Sequence, residues 1–466
     1  MCYIVVRPIT GNKHNKKLDE PAMGEDTQIS IEFKGITGKR VVADFSGGEV
    51  TSDAGVLALR EVAERIEIID QIADAITDTR HQSYVRHAMR TLLQQRVIQI
   101  ACGYEDANDA DYLRSDPGFK ASCNRLPSED DLASQPTISR FENALTSKDI
   151  YRIACVLVEQ FIATYDTAPE AIILDIDDTD DPTHGAQQLS LFNGYYDEYC
   201  YEPLFIYEGT TGRLVTSILR PGKRPGGKET RSIIKRVVQR IRNIWPTVGI
   251  LIRGDSHFAT PELYAWCDAH DVHYILGLTA NSVLKTHADT TLKEARREYE
   301  ASGEKARVFK QVRYQAGSWH RKLRVIIMAE ADARGDNVRF IVTSLESSRP
   351  SFLYETAYCG RGNMENFIKD HKAALKSGRT SCHSFLANCF RLMLHSAAYV
   401  ILHTLREKAL AGTEFATAQF DTIQLRLLKI GAEVREMKTK LHFILPASFP
   451  LKEVFSTMCA KSAVLT

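Results

Sequence analysis

A change of hydrophobic period near residue 165 constrains this chain more than any other feature. Upstream, Val85, Ala88, Met89, Leu92, Leu93 and Val97 recur at three and four residues, the spacing of one buried helix face, and Gly103 supplies a stop. Downstream, Ala171 to Ile176 is a compact apolar run of strand length. Tyr201 to Tyr207 and Arg213 to Leu219 look like two more strands, joined through the turn residues Gly209-Thr210-Thr211-Gly212. An amphipathic helix with Ile233, Ile234, Val237, Val238 and Ile241 on its buried stripe comes next. It is followed by a strand at Val248 to Ile252, a helix opening at Thr260-Pro261-Glu262, and a strand at Tyr274 to Leu278. That alternation predicts an α/β layered unit.

A chain of 466 residues has room for about three such units. Residues 7–30 are polar and aperiodic, which predicts that 1–30 form a tail that is disordered or orders late. An all-helical domain is expected over 31–165, the first part of the α/β core over 166–282, and a return to the core over 348–380. Between them, 283–347 reads as a β-rich insertion with strands at Ala306 to Tyr314, Leu323 to Met328 and Val338 to Val342. Residues 381–466 read as a helical C-terminal region. Its oiliest stretch, Leu392 to Leu402, is broken by His395 and Ser396 and falls short of the roughly 20 apolar residues that span a bilayer, so a core helix is expected. No membrane partner is predicted.

Ten cysteines without a CxxC pair fit reduced thiols rather than a disulfide framework or a zinc ribbon, and hence a cytoplasmic protein. The short apolar run Tyr3 to Val6 lacks the order of a secretory signal. Lys plus Arg equals Asp plus Glu at 59 each, so any nucleic-acid-binding face must be local. One such face lies between Arg213 and Arg242, where ten basic residues meet a single acid, Glu229. Lys228, Arg231, Lys235 and Arg236 sit there on the polar side of the amphipathic helix, as phosphate contacts or as a plain solvated face. Ser134-Gln135-Pro136-Thr137-Ile138-Ser139-Arg140-Phe141 has the look of a groove-reading helix, or of an ordinary capped one.

The densest acidic cluster is Asp175-Ile176-Asp177-Asp178-Thr179-Asp180-Asp181, where the first apolar strand ends. With period 2, Asp175 and Asp177 share one face and could converge on a hard cation such as Mg2+. The plainer reading is a solvated turn, but five Asp in seven positions repel one another at a cost that a cation relieves. Asp255 closes the second buried strand, as a helix cap or, if the two strands are neighbours, as a partner for Asp177. Further on, Arg361, Glu365 and Lys372 fall within roughly 40° of one another on an ideal helix, a plus-minus-plus stripe. Two look-alikes fail. Gly222 to Lys228 satisfies GxxxxGK, but Glu229 stands where a P-loop needs Ser or Thr, so no nucleotide cofactor is expected. Asp175-x-Asp177-x-Thr179 also resembles a haloacid-dehalogenase motif, whose fold normally begins at that strand.

Tyr358-x2-Arg361-x3-Glu365-x6-Lys372 resembles the Y-(2)-R-(3)-E-(6)-K signature of DDE transposases of bacterial insertion sequences, the cut-and-paste group. Ser46-Gly47-Gly48 with Thr51-Ser52-Asp53, Gly103 to Asp109, Ser134 to Thr137, Asp180 to Gly185 and Phe192 to Tyr196 are similar to one subgroup, from about residue 40 to 445. The resemblance implies a ribonuclease H-like core interrupted by the β-rich insertion. It also implies that Asp177, Asp255 and Glu365 are catalytic acids holding two Mg2+ ions, with Mn2+ as a substitute, and Asp175 is the alternative first acid. Tyr358, Arg361 and Lys372 would contact DNA phosphates, and Trp319 would stack on a flipped base. The partners implied are double-stranded terminal inverted repeats and target DNA, bound by the helical 31–165 domain and the basic helix, with a homodimer pairing two ends in a bacterial nucleoid. The expected activity is cleavage and strand transfer by two-metal phosphoryl transfer. The alternatives are a metal-dependent nuclease without joining, or an inactive regulator that binds the repeats.

Overall fold

The computed structural model describes residues 30–223 and 226–464, so the expected tail lies, apart from Ser30, outside the described residues. A hairpin of β1 (Ser30–Ile36) and β2 (Lys39–Asp44) opens the described chain, and β3 (Val50–Thr51) pairs with a strand from the far end of the sequence. The expectation of an all-helical N-terminal unit is therefore corrected: Ile31, Phe33, Val41 and Val42 support a short two-stranded ribbon before the first helix. Then come α1 (Val56–Arg65), α2 (Ile68–Ala75), α3 (Met89–Ala101), α4 (Asp109–Leu113), α5 (Pro117–Ser122), α6 (Gln135–Glu142) and α7 (Ser147–Ala163). Val85 stands ahead of α3 rather than within it. Gly103 follows that helix at φ +89°, a backbone that only glycine adopts without strain.

The sheet section begins with β4 (Ala171–Asp178). A small three-stranded ribbon of β5 (Asp181–Pro182), β6 (Leu191–Asn193) and β7 (Glu198–Tyr201) follows, and then β8 (Leu204–Glu208) and β9 (Leu214–Ile218). α8 (Gly227–Ile244), β10 (Gly249–Gly254), α9 (Pro261–Ala269) and β11 (His273–Leu278) complete the alternation seen in the sequence. A long helix, α10 (Ser282–Ser302), then precedes β12 (Ala306–Tyr314), β13 (Leu323–Asp332) and β14 (Gly335–Thr343).

All the longer strands from β4 to β14 form one sheet in the order β12-β13-β14-β11-β10-β4-β8-β9. β4, β10 and β11 run parallel, and β8 pairs antiparallel with β4. The expected insertion is thus not a separate β module. β14 pairs with β11 from Ile275↔Thr343 to Leu278↔Phe340, and β12 to β14 extend the main sheet. The physical reason is burial: Leu323 to Ala331 is buried at every position, so both faces of β13 need cover, and α10 supplies part of it. α10 itself carries a helical stripe, Leu284, Ala288, Thr291 and Ala295, that the β reading of 283–347 overlooks.

Alternation along β4 sets the site. Ile172, Leu174 and Ile176 join the core with Ile234 and Val238 of α8 and Trp266 of α9. Asp175 and Asp177 face the other side, level with Tyr207 and Phe205 of β8. On that side run α11 (Asn363–Lys369) and α12 (Phe385–Thr404), followed by α13 (Phe420–Ile423), β15 (Ala432–Met437), β16 (Lys440–Ile444) and α14 (Lys452–Ala463). The expected all-helical C-terminal region therefore contains, ahead of its last helix, a hairpin whose first strand takes β3 as a neighbour. α12 belongs to a helix long and apolar enough to cross a membrane, Phe385–Ala409, but 89% of its apolar window is buried inside the protein. Leu59, Ile98 and Leu157 share one core with Phe390, Leu394, Leu402 and Leu428, so helices from both ends of the chain wrap α12.

Candidate active site at the strand ends

β4 and β10 are hydrogen-bonded neighbours in parallel register, with Arg253 opposite Asp175 and Gly254 opposite Ile176. Asp255, the next residue, follows at the level of Asp177. Both carboxylates therefore emerge where two central strands end, the position at which open α/β sheets present their ligand sites. Burial pushes the Asp177 carboxyl up to about 7; Arg361 opposes the rise, and the neighbouring Asp255 and Asp178 carboxylates add to it. The Asp255 side chain also accepts from the His257 backbone N–H at 2.8 Å, capping a short turn.

The two acids on the β4 face have different partners. Asp175 is fully buried and takes both arms of Arg253, Nε to Oδ1 at 2.6 Å and Nη2 to Oδ2 at 2.7 Å. Asp177, 17% exposed, is bonded to Arg361 Nη1 at 3.0 Å. Arg253 also donates from Nη1 to the Ala357 carbonyl at 2.7 Å, which ties β10 to the segment carrying Tyr358 and Arg361. Glycines make room for this arrangement: a Cβ on Gly209 would collide with Arg253 and Asp175, and one on Gly277 would lie 2.8 Å from the Tyr358 hydroxyl. Tyr358 thus lies across β11 beside Asp255.

Residues 352–375 do not form one regular helix. Widened π turns at Phe352–Tyr358 and Asp370–Ala374 flank a tight turn at Cys359–Gly362 and the seven-residue α11. This changes the geometry expected from ideal spacing. Arg361 reaches Asp177. Lys372 reaches the loop beyond β4, donating to Thr179 Oγ1 at 2.9 Å, to the Asp180 carbonyl at 2.7 Å and to Asp180 Oδ1 at 3.1 Å. Glu365, on α11 between them, is exposed. The stripe of three is therefore split, because changes of helical pitch rotate the faces that uniform spacing would align.

Among the described residues, no three His, Cys, Asp or Glu side chains gather into a group that would hold a metal ion. Asp177 and Asp255 nevertheless suit a hard divalent cation. They offer carboxylate oxygens, and the Asp177 carboxyl is raised first by burial and then by the Asp255 and Asp178 charges, penalties on its anion that a bound cation would offset. Glu365 stands outside that pair.

Sequence spacing missed the network behind the acids. Arg220 holds Asp178 Oδ2 at 2.8 Å, with both side chains almost completely buried, and His257 Nδ1 lies 3.6 Å from Asp178 Oδ1. Although burial opposes ionisation, His257 and Arg220 keep the Asp178 carboxyl below its ordinary value. The available signal was Arg220, a cation just beyond the largely apolar strand Leu214–Ile218.

Two further groups of expected residues fall elsewhere. Trp319 is 8% exposed and packs edge-on against Tyr264 and Tyr314, so in this structure it fills the core and is not presented for stacking on a base. On α8, Lys228, Lys235 and Arg236 are exposed, Arg231 is half-buried, and none has an ion-pair partner among the described residues. Arg240 instead pairs with Glu159, and Arg242 donates to the Asp271 carbonyl at 2.7 Å. Of the P-loop look-alike, residues 224–225 lie outside the described residues.

A family model described as transposase DDE domain group 1 matches residues 33–465, nearly the whole chain. The protein belongs to that family and is a DDE transposase. No curated protein matches the chain significantly. Among solved structures, the chain is similar to one in a cryo-EM structure of the piggyBac transposase synaptic complex with hairpin DNA, at 12% identity and a TM-score of 0.44, covering 81% of this chain and 80% of that one.

Proposed function

We propose that this DDE transposase cuts DNA at the terminal inverted repeats of a bacterial insertion sequence and joins the freed 3′ ends to target DNA. The observation that carries the reading is the pairing of Asp177 and Asp255 at the ends of adjacent parallel strands, with Arg361 of the Y-R-E-K stretch bonded to Asp177. The order β9-β8-β4-β10-β11, with the last three strands parallel, supports a ribonuclease H-like core.

Asp177 and Asp255 would hold the divalent ion, with Glu365 as the third acid; Mg2+ is the natural choice and Mn2+ a substitute. Bound there, the metal supplies Lewis-acid stabilisation of the phosphoryl group and of the attacking and leaving oxygens. Arg361 neutralises Asp177 in the free protein and would turn its guanidinium to a phosphate oxygen when DNA arrives. Tyr358 would brace the strand beside it, and Lys372 orders the loop after β4. Lys228, Lys235 and Arg236 project from α8 as phosphate contacts, joined by the half-buried Arg231. Two copies would pair the two ends in the cytoplasm, and no nucleotide cofactor would be needed because one phosphodiester is exchanged for another.

The exposed position of Glu365 favours, as a second reading, a repeat-binding protein that does not cut. The test is incubation of the protein with a labelled duplex carrying the element's own terminal repeat, plus target DNA and Mg2+. Ends joined to target support the transposition reading. Cut ends never joined indicate a nuclease, and binding without cutting indicates the regulator.

A further inference from the structure

Away from the strand ends, the N-terminal helices enclose an open cleft of about 1060 Å3 between residues 80–87, the loop at 130–134 and α6. Arg80, Arg86, Arg114, Arg125 and Arg140 line it, against only Asp130 and Asp131 as lining acids. In a chain with no net charge, five guanidinium groups on one concave surface are a concentrated positive field.

Two of the five build the walls. Arg125 donates to the carbonyl oxygens of Asp130 at 3.2 Å and Asp131 at 2.8 Å. Arg80, paired with Asp78, donates to the His87 carbonyl at 2.9 Å. The other three are exposed. Arg86 and Arg140 have no ion-pair partner among the described residues, and Arg114 has only a long 3.5 Å contact with Asp131. Burial, followed by Arg125, Arg86 and Arg80, lowers the proton affinity of His87, as expected inside a positive field. On the rim, Tyr84 is 85% exposed, an aromatic ring left in water beside unpaired cations.

The three available arginines come from separate segments, the turn before α3, the end of α4, and α6. They present forks that match phosphate oxygens at spaced points rather than one small anion. We propose that this cleft binds the sugar-phosphate backbone of duplex DNA, with Arg86, Arg114 and Arg140 on phosphates and Tyr84 against a deoxyribose. It is a third DNA contact, distinct from the strand ends and from α8, and it rests on the reading of the protein as a DNA transposase.

Backbone contacts need no particular sequence, so the probe is a fluorescein-labelled mixed-sequence duplex, titrated by anisotropy with full-length protein over a range of salt concentrations. Each phosphate contact contributes roughly 0.9 to the slope of log K against log salt. Arg86→Ala/Arg114→Ala/Arg140→Ala therefore lowers the magnitude of that slope by roughly 2 to 3 and weakens binding at least tenfold. Lys235→Ala/Arg236→Ala on α8 is measured beside it. If wild type binds and the α8 variant weakens while the cleft variant binds with an unchanged slope, the cleft proposal is overturned and DNA binding stands. If wild type binds no duplex, the DNA reading falls and takes this proposal with it. Should the triple variant not fold, Arg86→Glu alone, at an exposed position, lowers the magnitude of the slope by roughly 1, and an unchanged slope overturns the proposal in the same way.

Discussion

Arg253→Met makes the most exacting demand on the architecture of the site. Arg253 is 5% exposed and Asp175 fully buried, and the two bonds between them, at 2.6 and 2.7 Å, are those of a bidentate pair closed to water. Removing the cation leaves a buried carboxylate without its partner, which costs about 3–5 kcal/mol, far more than the loss of an exposed ion pair. Replacing both, as Asp175→Leu/Arg253→Met, removes the charges together and should restore most of that loss, because a buried pair is worth little net of its desolvation. The structure supplies its own reporter. All three tryptophans, Trp245, Trp266 and Trp319, lie in the core that backs this sheet, so tryptophan fluorescence in urea follows the relevant unfolding step. A single variant that unfolds within about 1 kcal/mol of wild type, or a double variant no more stable than the single, would refute the assignment of Asp175 to a structural pair. Arg253 also bonds the Ala357 carbonyl, so the single variant should loosen the Tyr358–Arg361 segment as well, read as faster amide exchange there.

The carboxyl of Asp177, raised to about 7, makes stability depend on pH. The folded chain holds a proton that the unfolded chain has released, so stability falls as pH rises from about 4 to about 7 and levels off above that. The buried Asp181 carboxyl, also raised to about 7, adds to the same trend, so Asp177→Asn should reduce it without abolishing it and raise stability at pH 8 in metal-free buffer by about 1–4 kcal/mol, read from urea midpoints at pH 5 and pH 8; an unchanged pH trend counts against the coupling. Trp319→Ala should destabilise the sheet core by about 3–5 kcal/mol, while Trp319→Phe keeps DNA cleavage near wild type; cleavage lost in a stably folded Trp319→Phe would return that ring to the DNA site.

The parts of the fold legible in the sequence were those where one period ran long enough to be unambiguous. The apolar run ending at Ile176, the stripe Ile233 to Ile241 and the turn at Gly209–Gly212 all fall where periodicity put them. The neighbourhood of Asp177 and Asp255 was legible only as a condition, since no pattern within one strand names its partner; the parallel register of β4 and β10 meets it. What escaped were decisions made in three dimensions. Period 2 puts Asp175 and Asp177 on one face and cannot tell which lies opposite Arg253. Strands β12 to β14 looked like a module of their own because alternation does not say which sheet a strand joins. Uniform helix geometry placed Glu365 beside Arg361 and Lys372, but two π turns and a tight turn interrupt that stretch. A solitary tryptophan in a loop was equally open to stacking and to packing until Tyr264 and Tyr314 enclosed it.

The measurement that bears most directly on the account is single-turnover cleavage of terminal-repeat DNA across a Mg2+ titration, by wild type and by Asp177→Asn, Asp255→Asn and Glu365→Gln. The account predicts that each amide variant binds the repeat and loses cleavage at every Mg2+ concentration, so that the three acids, drawn from two strand ends and a helix, act as one unit. Wild-type cleavage by Glu365→Gln, or cutting by any of the three without added metal, would contradict it.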